Sequence, residues 1–244
     1  YPIYDMEEPI PNVTSFLTVF CETEKEPQNW KSDWDKSIAH VVWGYQNEKV
    51  VENGISYALC EKDGSKFYKA FAFDRSRDMI EIPSSINGIP VTTINDSAFE
   101  KCFSLKSVTL SNGITSIGKS AFASCTSLTN ISIPDSVTYI GDGAFSQCEA
   151  LSNIVIPNRV TEINSYTFNG CKSLKNVTIS ENVTYIAEYA FYCCETLPSV
   201  NIPGNVKEVG ENAFYGCFEL KNVIISNGVQ ALRNYSFAFC DSLA

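Results

Sequence analysis

A 23-residue repeat in the C-terminal two-thirds of the chain restricts its fold more than any other feature. Phenylalanine recurs in steps of 23, cysteine follows three residues later each time, and leucine follows after another three. The three registers run from Phe99 to Phe237, from Cys102 to Cys240 and from Leu105 to Leu243. One unit cannot bury its own apolar side, whereas stacked units join equivalent residues into continuous ladders. The repeat therefore predicts a solenoid.

The unit at residues 128–150 shows how one coil is predicted to run. Its first six residues, 128–133, end in an alternation of polar residues with β-branched isoleucines, which suits a short strand with one buried face. Pro134 ends the strand because proline has no N–H to donate. Gly141 suits a left-handed turn or cap. The apolar spacing around Phe145 is then that of a short helical turn whose apolar side faces inward.

Strands on one side and bulkier helical turns on the other predict a curved body. We expect an α+β repeat solenoid, with short strands on the concave face, short helical turns on the convex face, and about seven coils over residues 79–244. In the first coil, Ile82 to Val91 spans nine residues where Ile133 to Val137 spans four. That coil is predicted to carry a five-residue insertion.

This pattern resembles the BspA-like class of leucine-rich repeats, whose units look like LxxIxIPxxVtxIGxxAFxxCxx. The resemblance covers about residues 79–244, and residues 80–99 are similar to the opening coil of such arrays. Members of this family are mostly surface and secreted proteins of anaerobic bacteria and some parasitic protists, in adhesion roles. The resemblance thus implies an extracellular or cell-surface location and a protein or glycan partner on host or neighbouring cells.

The repeat fails in the first 78 residues. Residues 54–78 are predicted to form a β-hairpin cap, with strands at 55–60 and 67–73, so that the N-terminal cap is mostly β. Residues 1–53 form an irregular segment that holds all three tryptophans. This segment looks like the linker that ends one array before the next begins in BspA-like proteins. We therefore expect the chain to be a piece of a longer surface protein.

The outward strand positions form the first candidate binding surface, on the predicted concave face. Their short amide and hydroxyl side chains can both donate and accept hydrogen bonds, which suits an extended partner or a glycan. The alternative is that these side chains only solvate the sheet or ladder with one another. The candidate residues are Asn130, Asn153, Asn176, Asn222, Ser132, Thr178 and Asn201.

A second candidate surface is a group of tyrosines on the predicted convex face. They fall beside the phenylalanine ladder at positions that should point outward, and aromatic residues in adjacent coils can anchor a protein interface. The alternative is that they cover the convex side of the core. The candidate residues are Tyr166, Tyr189, Tyr192 and Tyr215.

Charge and composition exclude several function classes. The net charge is −10 and no basic stripe exists, which argues against nucleic-acid binding. No apolar run is long enough to span a membrane, so no membrane insertion is expected. The single histidine, His40, lies in an apolar run and is predicted to be a strand residue rather than a base. The ladder cysteines are predicted to be buried free thiols. Because no C-x-x-C pairs with a second one, only one histidine is present and no catalytic or phosphate-loop motif occurs, we expect no metal, no cofactor and no enzymatic activity.

Two functions are consistent with these features. The first is an extracellular binding or adhesion module that recognises its partner through the repeat surface. The alternative is a structural spacer or scaffold, in which the repeats extend a functional domain of a larger surface protein. A spacer should show no preference among ligands, whereas a binding module should lose binding when one face is altered.

Overall fold

The computed structural model describes residues 17–21, 39–43 and 45–243 and is a β-solenoid. Between residues 79 and 243 the chain winds through seven coils. Each coil contributes one strand to a first strand stack and one strand, shorter in all but the first coil, to a second strand stack, and a run of turns closes its third side. Strands paired between successive coils are parallel, as a solenoid requires.

Five strands precede the array. β1 (Leu17–Cys21) and β2 (Ala39–Trp43) pair in parallel, and β2 includes His40 at the predicted strand position. β3 (Tyr45–Glu52), β4 (Ile55–Lys62) and β5 (Ser65–Phe73) form an antiparallel meander. The predicted hairpin is present as β4 and β5. Most of the tryptophan-bearing segment lies outside the described residues.

Seven strands form the first strand stack and alternate between buried and exposed side chains. In the coil of Phe191, for example, Asn176 lies opposite Asn153 of the preceding coil, 23 positions earlier. Exposed Asn153 and Val155 flank buried Ile154, because successive side chains of a strand point to opposite sides. The strands are β6 (Met79–Ile82), β9 (Ser107–Leu110), β11 (Asn130–Ser132), β13 (Asn153–Val155), β15 (Asn176–Thr178), β17 (Ser199–Ile202) and β19 (Asn222–Ile225).

The second strand stack lies on the next side of each coil. Asn164 marks a break in its ladder between the third and fourth strands, because the Asn164 side-chain amide donates to the Ile140 carbonyl at 2.6 Å. In neighbouring coils the equivalent carbonyl accepts its hydrogen bond from a backbone N–H instead. The strands are β8 (Ile89–Ile94), β10 (Ser116–Ile117), β12 (Tyr139–Ile140), β14 (Glu162–Ile163), β16 (Tyr185–Ile186), β18 (Glu208–Val209) and β20 (Ala231–Leu232).

The first coil contains the predicted insertion and receives the cap. Met79 lies opposite Ser107, an interval of 28 positions rather than 23, which confirms the five extra residues. The insertion includes β7 (Ser85–Ile86), which folds back antiparallel onto β8. β8 also pairs in parallel with β5, so the meander continues the second strand stack. Tyr57 and Tyr68 of the meander are fully buried against the first coils.

The prediction of helical turns on the third side is wrong, and so is the α+β fold class. No α-helix occurs in the described part of the chain. Each coil instead has positive φ at the residues two positions before and two positions after the ladder phenylalanine. In the coil of Phe122 these residues are Ser120, with φ 52°, and Ser124, with φ 60°. An α-helix requires negative φ throughout, so both residues interrupt it.

Hydrogen bonds to the neighbouring coil explain why turns form here instead of a helix. The Phe122 N–H donates to the carbonyl of Ala144 in the next coil at 2.8 Å, whereas the Cys125 N–H donates to the Phe122 carbonyl in its own coil at 3.2 Å. In a helix every such donor would bond four residues back along its own segment. Each coil therefore holds the next through its third side as well as through its strands.

Ladders of equivalent side chains form the core. The ring centroids of successive ladder phenylalanines, from Phe99 to Phe237, are 5.0 to 5.6 Å apart, and the rings are stacked. The repeat leucines from Leu105 to Leu220 are fully buried. These ladders confirm the predicted inward positions.

Candidate binding surfaces

The outer surface of the first strand stack, here called the sheet face, carries the seven polar candidates predicted for a concave face. All seven are exposed at the outward positions of their strands. They are Asn130, Asn153, Asn176, Asn222, Ser132, Thr178 and Asn201.

Part of the hydrogen-bonding capacity of the sheet face is used within the protein. The Asn176 side-chain amide donates to the Asn153 side-chain carbonyl at 2.6 Å, and the Asn153 amide donates to the Ser152 hydroxyl at 2.7 Å. The same outward rows also contain Val155 and Ile224, which are 61% and 62% exposed. The sheet face is thus a mixed surface whose amides partly satisfy one another.

The outer surface of the third side, here called the turn face, brings the four predicted tyrosines together. Tyr166 stacks on Tyr189 with ring centroids 4.7 Å apart, and Tyr192 stacks on Tyr215 at 5.0 Å. Tyr189 and Tyr192 join the two pairs at 5.5 Å with tilted rings. The four residues, here called the tyrosine cluster, form one continuous aromatic surface across three coils.

The core does not require the tyrosine cluster as a cover. The coils of Phe99, Phe122 and Phe145 have no tyrosine at the equivalent outward positions, and their ladder rings are as fully buried as Phe168 and Phe191. Because burial of the ladder is complete with or without tyrosines, packing alone does not explain them.

Two members of the tyrosine cluster have strained backbones. Tyr166 and Tyr189 take φ values of 59° and 57°, in the left-handed region, which is unfavourable for bulky side chains. Other coils place Ser120, Gly143 or Asn212 at the same position. Tyr235 of the last coil has the same conformation, with φ 59°, so positive φ here belongs to every coil, and small residues satisfy it more easily than bulky rings do.

The cysteine ladder is buried and has a structural role. From Cys125 to Cys240, each ladder thiol donates to the carbonyl of a phenylalanine in the preceding coil at 3.1 to 3.4 Å. Burial raises the pKa of Cys148 to about 12 and that of Cys171 well above its ordinary value. Since the thiolate is the reactive form, these thiols are poor nucleophiles at neutral pH.

Two further features of the described residues concern groups of metal-ligating side chains and membrane-spanning helices. Nowhere in 17–21, 39–43 and 45–243 do three or more His, Cys, Asp or Glu side chains come together as possible metal ligands. Within the same residues, no helix has the length and apolarity needed to cross a membrane.

Acidic residues border the tyrosine cluster, and they are not among the candidate residues predicted from the sequence. Glu188 directly precedes Tyr189, and Glu195 lies three residues beyond Tyr192, on the far side of the cluster along the coil. Glu188 contributes to the raised pKa of Tyr166, for which burial is the larger cause. Comparing the charges at equivalent positions of successive repeats would have revealed these acidic residues, because acidic side chains recur at the same two positions of the 23-residue unit.

Comparison with known proteins supports the repeat assignment. The family model described as "BspA type Leucine rich repeat region" matches in overlapping stretches at residues 67–172, 92–217 and 161–244. No curated protein sequence matches the chain significantly.

Solved structures of bacterial proteins share the fold. A T. pallidum leucine-rich-repeat protein, TpLRR, is similar at 29% identity with a TM-score of 0.75, over 81% of this chain and 91% of that one. A leucine-rich cell surface protein from Faecalibacterium prausnitzii is similar at 29% identity and TM-score 0.59, over 74% of this chain. The pneumococcal vaccine antigen PcpA shares the fold at 23% identity and TM-score 0.62, over 74% of this chain.

The alignments cover 55% of the F. prausnitzii protein and 50% of PcpA, so the chain spans about half the length of these two. The family match, from residue 67 to residue 244, extends over most of the chain and includes all seven coils. The chain therefore belongs to the BspA-type leucine-rich-repeat family.

Proposed function

We propose that the chain is a non-catalytic binding module, displayed outside the cell, that recognises a protein or glycan partner through its repeat surface. The tyrosine cluster is the observation that carries this proposal. Its rings are not needed to bury the core, and they contact one another across three coils on the outer surface of the solenoid. A similar protein from F. prausnitzii is described as a cell surface protein, which supports the location.

The turn face is favoured over the sheet face as the contact surface. Aromatic side chains bury a large area on binding and lose little rotamer freedom, so they dominate the energetics of many interfaces. Tyr166 is 41% exposed and Phe218, four positions beyond a ladder phenylalanine, is 42% exposed. The sheet-face asparagines offer less contact area, and part of their hydrogen bonding is already satisfied.

A structural spacer is the second candidate, and surface ladders of hydrogen bonds support it. The Thr115 hydroxyl donates to the Thr92 carbonyl, and the Thr138 hydroxyl to the Thr115 carbonyl, each at 3.2 Å. Such side chains link the coils without a partner. A spacer needs only ladders of this kind, however, and gives no reason for an aromatic cluster on the outer surface of three coils.

Binding to a panel of immobilised extracellular proteins and glycans tests the proposal. We expect at least one ligand to be bound selectively, and the double variant Tyr189→Ser with Tyr192→Ser to weaken that binding by about tenfold or more, as loss of an interface hot spot does. The matched variant replaces Asn130, Asn153 and Asn176 by Lys, which alters the sheet face and leaves the turn face unchanged.

The two variants separate the candidate functions. Loss of binding in the Lys variant with full binding in the Ser variant would transfer the site to the sheet face. Absence of selective binding to any ligand, by a chain that melts cooperatively, would favour the spacer. Thermal melting of both variants serves as the control for folding.

A further inference from the structure

We propose that the turn face around the tyrosine cluster binds a cationic polypeptide segment, rich in arginine or lysine. This inference rests on the proposed function and specifies the chemistry of its partner. It is drawn from the distribution of charge along the turn face, from the ring geometry of the tyrosine cluster and from the lack, in the described part of the chain, of ion pairs to the carboxylates at its borders.

Acidic side chains lie on both sides of the tyrosine cluster. Glu188 and Glu211 lie one residue before the position of Tyr189 in successive coils, and both are exposed. Glu195 lies on the other side of the cluster, where Glu219 of the next coil donates its backbone N–H to the Glu195 carbonyl at 3.0 Å. The chain therefore surrounds an aromatic surface with carboxylates from two consecutive coils.

Earlier coils neutralise the acidic residues in these rows, and the later coils do not. Lys119 pairs with Asp142 at 3.0 Å, in the row that later contains Glu188 and Glu211. Lys172 forms its ion pair with Glu149 at 2.8 Å; Glu195, the next residue of the same row, interacts with Lys172 electrostatically but forms no ion pair with it.

The four later carboxylates have no such partner. Among the described residues, none of these four carboxylates forms an ion pair. They are Glu188, Glu195, Glu211 and Glu219.

Like charges at equivalent positions of adjacent coils repel each other. Glu188 and Glu211 occupy neighbouring coils, and the Tyr189 N–H donates to the Glu211 backbone carbonyl at 3.0 Å, which places the two residues side by side. Adjacent like charges destabilise a stack in the way that they destabilise paired strands. A cationic partner would remove this repulsion, and attraction between opposite charges extends over a Debye length of about 8 Å in physiological salt.

Ring geometry favours a basic peptide over a sugar. A sugar ring would need an open aromatic face to stack on, but Tyr166 and Tyr189 cover one face of each other, and so do Tyr192 and Tyr215. This stacking leaves each ring only one face for a sugar, whereas it does not cover the ring edges and hydroxyl groups. Tyrosine hydroxyls accept hydrogen bonds from guanidinium and ammonium groups, and the methylene stems of arginine and lysine pack along ring edges.

A fluorescence anisotropy titration with a defined probe tests the inference. The probe is a labelled 12-residue peptide of alternating arginine and serine, and its counterpart has glutamate in place of arginine. We expect the full chain to bind the arginine peptide, not the glutamate peptide, with an affinity that falls as sodium chloride is raised from 150 to 500 mM.

Charge variants locate the binding site. Replacing Glu188, Glu195 and Glu211 by Gln should weaken binding of the arginine peptide by about tenfold, because three exposed charge pairs are lost. The matched control changes the same number of charges at exposed positions away from the turn face and should alter affinity less than about twofold. The control substitutions are Glu81→Gln, Asp135→Asn and Glu181→Gln.

The tyrosines supply a contribution that charge alone does not. The Tyr189→Ser, Tyr192→Ser variant keeps every carboxylate, so its loss of affinity should persist at 500 mM salt. Equal weakening by both charge triples, or no binding of the arginine peptide, would overturn the inference. If a ligand of the protein and glycan panel still depends on the tyrosine cluster in that case, the proposed function survives and only the cationic partner is rejected.

Discussion

At the scale of single residues, phenylalanine and tyrosine divide the third side of each coil into an inside and an outside. Phe168 is fully buried between two other ladder rings, whereas Tyr166, two positions earlier, is 41% exposed and stacks on one ring. Two similar aromatic residues therefore have different energetic roles.

Alanine substitutions measure this difference. We expect Phe168→Ala to lower the free energy of unfolding by about 3–5 kcal/mol, because it removes buried surface and leaves a cavity between Phe145 and Phe191. Tyr166→Ala should cost no more than about 1.5 kcal/mol, the upper value for one aromatic pair. Urea denaturation of both variants gives the two values, and equal losses would refute the inside and outside assignment.

At the scale of the coil, close backbone contacts decide where glycine is needed. Gly141 has no positive φ, so the left-handed turn predicted for it is wrong, and positive φ occurs two residues later at Gly143. A Cβ added to Gly141 would lie 2.6 Å from the Lys119 backbone nitrogen of the preceding coil. Glycine is present there because two coils approach each other closely. At the equivalent position Ala187 carries a Cβ, so the coils near Ala187 must accommodate that atom.

Substitution at this contact tests the explanation. Gly141→Ala should destabilise the protein by about 1–3 kcal/mol, since the backbones of two coils must separate to admit a methyl group. The reciprocal change Ala187→Gly removes a methyl group from the same position and should cost about 1 kcal/mol or less. Thermal unfolding compares them; a Gly141→Ala variant as stable as the parent chain would show that the contact is not tight.

Repeat-level features could be predicted from the sequence, because equivalent side chains stack and leave a period of 23. The inward ladders and the five-residue insertion are examples, and Met79 pairs with Ser107 as the insertion requires. The turns of the third side could not be predicted. The apolar spacing around Phe145 is also that of a helical turn, so the spacing does not distinguish a helix from the turns observed. The turns form because the Phe145 N–H donates to the Thr167 carbonyl of the next coil.

The candidate site was predictable to a similar extent. The positions of the four tyrosines follow from the repeat, and the structure adds how their rings stack. Which carboxylates remain unpaired depends on which of them the lysines of adjacent coils reach. Lys172, for example, pairs with Glu149 rather than with Glu195, and the sequence pattern does not specify that choice.

At the scale of the whole molecule, the repeat surface changes character along the array. Ion pairs neutralise the turn face near Asp142 and Glu149, and the later coils combine unpaired carboxylates with the tyrosine cluster. Because each coil contacts mainly its neighbours, one stretch of a solenoid can acquire a binding surface while the remaining coils keep their ladders intact. The proposed site is therefore regional, confined to the coils that contain residues 166–219.

Hydroxyl-radical footprinting, with mass spectrometry of the chain alone and saturated with a bound ligand, tests this account most directly. The arginine–serine peptide, or any panel ligand that binds selectively, serves as the partner. We predict that oxidation of Tyr189, Tyr192 and Tyr215 falls several-fold on binding, while oxidation of exposed Val155 and Ile224 on the sheet face is unchanged. Protection of Val155 and Ile224 with undiminished oxidation of the three tyrosines would contradict it.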